Sequence, residues 1–341
     1  MIHTGRADCA TCEPKQPVGI GSLTNQHTRH ALLLSYMNSP RSSIIACSLA
    51  AALLAPALAS AQVIFSAAGA NAASIQPTVD AFRSALGALN ANNGAAQTSG
   101  RREINWDAVP DSASDPVLFP GDFFAQTFNG ANAGRTRGAA FTTPAGLMVS
   151  ANVPGPNQAN ALFTTLITPG SGVVFNAFSN DQIFAPFGST LTTVTFSVPG
   201  NSSQPATITG FGAVFLDVNS SSSSSLSFFN TSGSLLGTFG AAASGHGGFS
   251  FLGVNFTGGE TIGRVVIQSG TEALAFGTSS GLGTESSGDV VALDDFFYSE
   301  PLSARALTAV PEPSTYGFFG AAFLAGLVWI RRRPATVAAL G

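Results

Sequence analysis

Two short stretches of the chain concentrate the side chains that could do chemistry. Residues 100–111 read GRREINWDAVPD, and residues 289–300 read DVVALDDFFYSE. Carboxylates in such stretches can act as general acids and bases, ligate metal ions or bind sugar hydroxyls. Each stretch therefore supports one functional interpretation and one structural alternative.

In the first stretch, the two-residue period of a β-strand places Glu103, Asn105 and Asp107 on one face, with Ile104 and Trp106 on the other. One interpretation is a sugar platform, in which the Trp106 ring stacks on a pyranose and Asn105 or Asp107 bonds its hydroxyls. The alternative, which we favour, is a first strand whose tryptophan belongs to the core. Its arginine–glutamate pairs are then structural.

In the second stretch, two adjacent carboxylates, Asp294 and Asp295, lie inside an apolar strand. Burying them without a cation would be costly. Carboxylate and carbonyl oxygens are also the ligands that Ca²⁺ prefers. One interpretation is a structural calcium site formed by this pair, with Asp217 or Asp107 as a further ligand. The alternative is an aspartate pair at a strand edge that is paired with Arg101 or Arg264.

The composition of residues 62–309 argues against catalysis. This body contains no cysteine and no lysine, so thiol and Schiff-base chemistry is excluded there. Its one histidine, His246, lies in the loop-like sequence SGHGG without an obvious nucleophile partner. We therefore expect no catalytic residues and no enzyme. The alternative is a secreted glycoside-active enzyme that uses carboxylates such as Glu103 and Asp107.

The first 61 residues divide into two parts. Residues 37–61, MNSPRSSIIACSLAAALLAPALASA, have the positive start, the apolar stretch and the small residues of a secretory signal peptide. Ala59 and Ala61 would occupy the −3 and −1 positions, which predicts cleavage by signal peptidase before Gln62. We interpret residues 1–36 as an upstream extension that is not part of the translated protein.

An apolar segment closed by arginines lies near the other end. Residues 314–333 read STYGFFGAAFLAGLVWIRRR, which predicts a transmembrane helix with cytoplasmic arginines and a short tail, residues 334–341. Two prolines just before it hold the chain extended and accessible outside the bilayer. The residues of this predicted signal are Pro311, Glu312, Pro313, Arg331, Arg332 and Arg333.

This arrangement resembles the PEP-CTERM sorting signal of exported Gram-negative bacterial proteins. The resemblance implies processing by exosortase, an integral-membrane enzyme that recognises the Pro-Glu-Pro sequence and removes the helix. It also implies a membrane-tethered intermediate, followed by delivery to the cell surface or the extracellular matrix. Proteins of this kind are usually made alongside extracellular polysaccharide, which makes polysaccharide a candidate partner.

The body between these signals has the pattern of short strands. A short amphipathic helix is predicted over Thr78–Asn90, with a linker that ends at residue 100. Runs rich in Val, Phe, Ile and Thr then alternate with Gly, Pro, Asn and Ser. The pattern predicts an all-β fold, an antiparallel jelly-roll-like β-sandwich over residues 101–301. Residues 302–313 form a second linker, which contains the Pro-Glu-Pro sequence.

The strands predicted most clearly are Val173–Phe178, Leu191–Val198, Ala206–Val218, Leu226–Asn230, Leu235–Phe239, Phe249–Phe256, Ile262–Gln268, Ala273–Phe276 and Val290–Tyr298. Within the third of these, the sequence FGAVFLDV is apolar on both faces and is typical of a central strand. Four segments, GRREINWD, GFGAVFLDV, FLGVNF and DVVALDDFFY, also resemble a group of exported bacterial proteins. That likeness covers residues 100–301 and implies one coherent domain.

The charge of the chain bears on its partners. Only 9% of the residues are charged and the net charge is −4, which gives no basis for nucleic-acid binding. We therefore expect an exported, non-enzymatic protein with a structural or carbohydrate-binding role in extracellular polysaccharide. Calcium is the one cofactor that the sequence suggests. An adhesin or surface-layer component is a further alternative.

Overall fold

A computed structural model of the chain describes residues 61–152, 163, 166, 175–277 and 288–304. The predicted signal peptide apart from its last residue, Ala61, lies outside these residues, as do the Pro-Glu-Pro sequence and the predicted transmembrane helix. None of the helices in the described residues combines the length and the hydrophobicity that a membrane span requires.

The described residues form one α-helix and fourteen strands. The helix, α1, spans Ala72–Leu86. The strands are β1 (Gln62–Gly69), β2 (Arg101–Ile104), β3 (Ala139–Thr142), β4 (Gly146–Val149), β5 (Phe184–Phe187), β6 (Leu191–Val198), β7 (Asn201–Thr207), β8 (Gly210–Leu216), β9 (Ser225–Phe229), β10 (Leu235–Gly240), β11 (Phe249–Phe256), β12 (Arg264–Gln268), β13 (Ala292–Ser299) and β14 (Leu302–Ser303).

The strands build two antiparallel sheets of seven strands each. The first sheet has the order β1-β11-β8-β13-β5-β4, with β2 paired to β13. The second has the order β10-β9-β12-β6-β7-β14, with β3 paired to β6. The main hydrophobic core lies where the inner faces of the two sheets meet. The predicted all-β antiparallel sandwich is therefore confirmed.

The centre of the first sheet is buried on both faces, as the strand β8 shows. Every residue of β8, GFGAVFL, is buried, and β8 lies between β11 and β13. Phe211, Ala213 and Phe215 belong to the core between the sheets. Val214 and Leu216 belong to a second core, which α1 covers from the outside. This agrees with the prediction of a central strand from the same residues.

The helix covers the outer face of the first sheet. It begins earlier than the predicted Thr78, because Asn71 caps it: Asn71 Oδ1 accepts a hydrogen bond from the Ser74 backbone N–H at 3.1 Å. Pro77, which directly precedes the predicted start of the helix, therefore lies inside the observed helix. The buried residues of the helix are Ile75, Val79, Phe82 and Leu86.

The helix docks where two side chains are missing from the sheet. Gly212 of β8 and Gly253 of β11 stand directly opposite each other. A Cβ atom on either glycine would lie 2.8 Å from a ring atom of Phe82 in α1. The glycine pair thus makes the space that the Phe82 ring fills, which is a common reason for glycine inside a strand.

Replacing Gly253 with alanine is expected to lower the free energy of unfolding by about 1–3 kcal/mol, because the added methyl group displaces the Phe82 ring. Gly134→Ala is the matched control, since a Cβ atom there meets nothing within 4 Å, and its effect is expected to stay within about 0.5 kcal/mol. Urea denaturation measures both. Equal stabilities of the two variants would contradict this description of the helix docking.

The strand bounds agree with prediction where the period is clear. The strands β6 and β11 have the predicted limits Leu191–Val198 and Phe249–Phe256. The predicted run Ala206–Val218 is instead divided between the end of β7 and all of β8. Ala273–Phe276 is not a strand, and only Leu274 in it forms a bridge, to Phe187. The predicted strand Val173–Phe178 starts outside the described residues, and its residues 175–178 are not in a strand.

Candidate functional site

Asp294 and Asp295 lie together at a β-bulge of β13. The pairing of β13 with β8 passes from Leu293 directly to Phe296, so two residues of β13 stand opposite a single residue of β8. A bulge interrupts the regular alternation of a strand and redirects side chains. Because of the bulge, two adjacent carboxylates that would otherwise point to opposite faces reach the same hydroxyl group.

That hydroxyl belongs to Ser179, in the segment before β5. Ser179 Oγ lies 2.8 Å from Asp295 Oδ1 and 3.2 Å from Asp294 Oδ1. The backbone N–H of Phe178 donates to Asp294 Oδ2 at 2.6 Å. Asp294 is fully buried and Asp295 is 4% exposed. The aspartate pair therefore fastens the segment that contains Phe178 and Ser179 to the first sheet.

Burial raises the pKa of both aspartates. For Asp294 the pKa lies well above 3.8, because the carboxyl group is desolvated and stands beside the negative charge of Asp295. Burial also raises the pKa of Asp295, although the hydrogen bond from Ser179 and the charge of Arg83 lower it in part. The Arg83 Nη2 atom lies 3.9 Å from Asp295 Oδ2. The raised pKa of Asp294 favours its neutral form, which can donate a hydrogen bond to the Asp295 carboxylate.

Asp107 is the third carboxylate of this region. Its Oδ2 accepts a hydrogen bond from Asn105 Nδ2 at 2.9 Å, and its Oδ1 accepts one from the Gln182 backbone N–H at 3.3 Å. Burial raises the pKa of Asp107 to about 6, and the charge of Asp295 adds to the effect. Asn105, a predicted glycan contact, is exposed but its amide is bound to Asp107.

Asp217, the fourth carboxylate of the predicted calcium site, belongs to a different cluster. Its Oδ1 accepts a hydrogen bond from the Gly247 backbone N–H at 2.7 Å and lies 3.2 Å from His246 Nδ1. Burial raises the pKa of Asp217 to about 6, and the neighbouring charges are those of His246 and Asp289. Within the described ranges, no three His, Cys, Asp or Glu side chains are arranged to hold a metal ion.

Trp106 lies in the core between the sheets, 1% exposed. Its ring stacks on Phe184 at a centroid distance of 4.4 Å, and its Nε1 donates to the Asp294 backbone carbonyl at 2.9 Å. A ring buried in this way has no face to offer to a sugar. The burial is incompatible with the sugar-platform interpretation and agrees with the alternative that we favoured.

The arginine–glutamate pairs of the first stretch are structural. Arg102 and Glu300 form a buried ion pair, with Arg102 Nε 2.6 Å from Glu300 Oε2. Glu103 lies between two guanidinium groups, with its Oε1 3.1 Å from Arg83 Nε and 2.6 Å from Arg101 Nε. The sequence pattern did not reveal Glu300 as the partner of Arg102, because the two residues are far apart along the chain.

Replacing Asp294 with asparagine is expected to preserve the fold and to remove part of the pH dependence of stability. The amide can donate to Asp295 and accept from the Phe178 N–H, as the neutral acid does. The pKa of Asp294 is raised in the folded chain, so the folded state retains a proton that the unfolded state releases above about pH 4. This stabilisation falls as the pH rises toward the folded pKa.

Urea denaturation at a series of pH values above about 4 checks this expectation. The parent chain should lose stability relative to Asp294→Asn as the pH rises. Asp294→Ala, which leaves the Phe178 N–H without its acceptor, should lose about 1–3 kcal/mol. Either of two results would refute the assignment of the proton: equal losses in the asparagine and alanine variants, or parallel pH profiles of the asparagine variant and the parent.

The comparisons with known proteins bear on the segment that follows the strand-built body. Residues 309–333 match the PEP-CTERM protein-sorting motif. The comparisons with curated proteins and with solved structures gave no match. The predicted PEP-CTERM sorting signal is therefore confirmed. The motif implies export, a membrane-anchored processing intermediate and processing by exosortase.

Proposed function

We propose that this protein is a non-enzymatic component of the cell surface or extracellular matrix, with a structural or carbohydrate-binding role. Signal peptidase removes residues up to Ala61, and exosortase acts at the Pro-Glu-Pro sequence. The start of β1 at Gln62 supports the first cleavage, because a cut before Gln62 leaves this strand whole.

The observation that best supports a role without catalysis is that the chemistry-bearing side chains are committed to structural contacts. The Asp294–Asp295 pair is buried and bound to Ser179. Glu103 is held by two arginines, and Trp106 is packed in the core. General bases and nucleophiles need access to a substrate, and these groups have other partners.

Asp107 supports the second candidate, a carboxylate-dependent glycoside-active enzyme. This side chain is only partly buried, and its pKa of about 6 suits a general acid near neutral pH. Glycoside hydrolysis also needs a second carboxylate, and this requirement weakens the enzyme candidate. Glu103 was the predicted second group, and it is bound by Arg83 and Arg101.

One experiment separates these functions. The purified protein is incubated with polysaccharide from the producing cells, and both the bound fraction and the reducing ends released are measured. Retention without release supports a carbohydrate-binding role. Neither retention nor release supports a purely structural one. Release that Asp107→Asn abolishes would replace the proposal with the enzyme.

A further inference from the structure

The outer face of the second sheet carries a row of hydroxyl groups. The strand register places Ser227, Val266, Thr193 and Thr142 opposite one another across β9, β12, β6 and β3. Thr238 extends the row onto β10, with its Oγ1 2.8 Å from Ser227 Oγ. These side chains are exposed or half-buried. Neighbouring strands are about 4.8 Å apart, so the hydroxyl groups follow one another at about that spacing, except on β12, where Val266 has none.

The adjacent row on the same strands contains a positive charge. It consists of Phe229, Arg264, Thr195 and Ala140, again directly opposite one another. The Arg264 guanidinium carbon lies 4.2 Å from the centroid of the Phe229 ring. Among the described residues, the guanidinium has no carboxylate and no hydrogen-bond acceptor as a partner. The small side chain of Ala140 leaves the far end of the row open.

This second row borders an open groove of about 490 Å³. Asn230 lines it, and its Oδ1 is occupied by the N–H groups of the following turn, so its Nδ2 is left to donate. Ser197 Oγ is buried at the groove without a partner among the described residues. Among the described residues, no carboxylate lines the groove, although residues 62–309 hold 15 carboxylates against seven arginines.

We propose that this face binds a polysaccharide that carries carboxylate groups, with a sugar carboxylate on Arg264 and sugar hydroxyls on the threonine and serine rows. The inference rests on the carbohydrate-binding role proposed above and gives that role a site and a ligand class. A guanidinium presents a planar fork that matches a carboxylate through two parallel hydrogen bonds. The Phe229 ring holds the fork in place from one side.

The chemistry of the face also sets what it rejects. Its hydroxyl groups can both donate and accept hydrogen bonds and the Asn230 amide can donate, which suits the hydroxyl groups of any sugar. Of the described residues that line the groove, Arg264 alone carries a charge, and that charge is positive. A neutral polysaccharide would therefore lack the one charge-assisted contact, and the charged one would lose part of its affinity at high salt.

The test measures binding of the purified full-length chain, in detergent, to immobilised polygalacturonate, with dextran as the neutral reference. Arg264→Gln is expected to weaken binding to polygalacturonate by about tenfold or more, since it removes a charge-assisted contact. Arg135→Gln is the matched control. Arg135 also stacks on a phenylalanine, with its guanidinium carbon 4.3 Å from the Phe123 centroid, but it lies in a different groove.

Loss of binding in Arg264→Gln alone, with unchanged thermal stability, supports the site. Parent-like binding of Arg264→Gln, or an equal loss in Arg135→Gln, overturns the site while the carbohydrate-binding role stands. Equal binding of dextran and polygalacturonate overturns the carboxylate assignment. If the protein binds polysaccharide from the producing cells but neither polygalacturonate nor dextran, this ligand class is also overturned. If the protein binds none of the three polysaccharides, both the site and the carbohydrate-binding role are overturned.

Discussion

Replacing Arg102 with methionine is expected to lower the free energy of unfolding by about 3–5 kcal/mol. The Arg102 side chain is fully buried and binds Glu300 through two hydrogen bonds, of 2.6 Å from Nε and 2.9 Å from Nη2. Methionine fills part of the space but leaves Glu300 as a buried carboxylate without a counter-charge. Chemical denaturation of the parent and the variant measures the difference.

Arg101→Met is the matched control. Its guanidinium also contacts a glutamate, Glu103, but both side chains are partly exposed, and Glu103 keeps Arg83 as a partner. This change should cost about 1 kcal/mol or less. The double variant with Glu300→Met should recover part of the loss in Arg102→Met, because no charge then stays buried. Similar losses of unfolding free energy for Arg101→Met and Arg102→Met would contradict the larger stabilisation assigned to the buried Arg102–Glu300 pair.

The large effect expected for Arg102→Met arises because the Arg102–Glu300 pair joins three parts of the chain. Glu300 follows β13, and Arg102 lies in β2. The same guanidinium donates to the backbone carbonyls of Ala91 at 2.8 Å and Ala95 at 3.1 Å. The Gln97 backbone N–H donates to Glu300 at 3.1 Å. The segment predicted as a polar linker is thus anchored to the sandwich by buried charges.

Replacing Trp106 with alanine is expected to cost about 3–5 kcal/mol of unfolding free energy, because it leaves a large cavity in the core between the sheets. The indole ring has five aromatic neighbours with centroids between 4.4 and 5.8 Å away. They are Phe119, Phe124, Phe141, Phe184 and Phe296. Thermal and urea denaturation report the loss.

Two further variants separate packing from ligand binding. Phe276→Ala, at a ring that is 70% exposed, should change stability by less than about 1 kcal/mol. Trp106→Phe keeps most of the ring contacts but loses the hydrogen bond to the Asp294 carbonyl, so an intermediate loss of about 1–3 kcal/mol is expected. The Trp106→Phe variant should bind polysaccharide as the parent does. Loss of binding without loss of stability would restore Trp106 as a sugar contact.

The alternation of side chains made much of the fold predictable. The strands β6 and β11 are long and regular, and their limits follow from the period of their apolar residues. In contrast, β1 was missed because it lies at a sheet edge and all of its residues are exposed or half-buried, without alternation. The strands β3, β4 and β5 have four residues each, too few for a period to be recognised.

The candidate site was less predictable, because its geometry depends on tertiary contacts. The sequence places Asp294 and Asp295 next to each other, and alternation would separate them to opposite faces. Their common contact with Ser179 arises from a bulge, which the pairing of two distant strands creates. Asp217 has the right residue type for the same cluster, but it lies at the end of β8 beside His246.

The most direct test of the proposed export and sorting is mass spectrometry of the protein recovered from the cell surface and the medium. We predict that the recovered chain begins at Gln62 and lacks Arg331, Arg332 and Arg333, while the strands between Gln62 and Ser303 are intact. Recovery of the protein only from the cytoplasm, with both terminal segments still attached, would contradict export and sorting together.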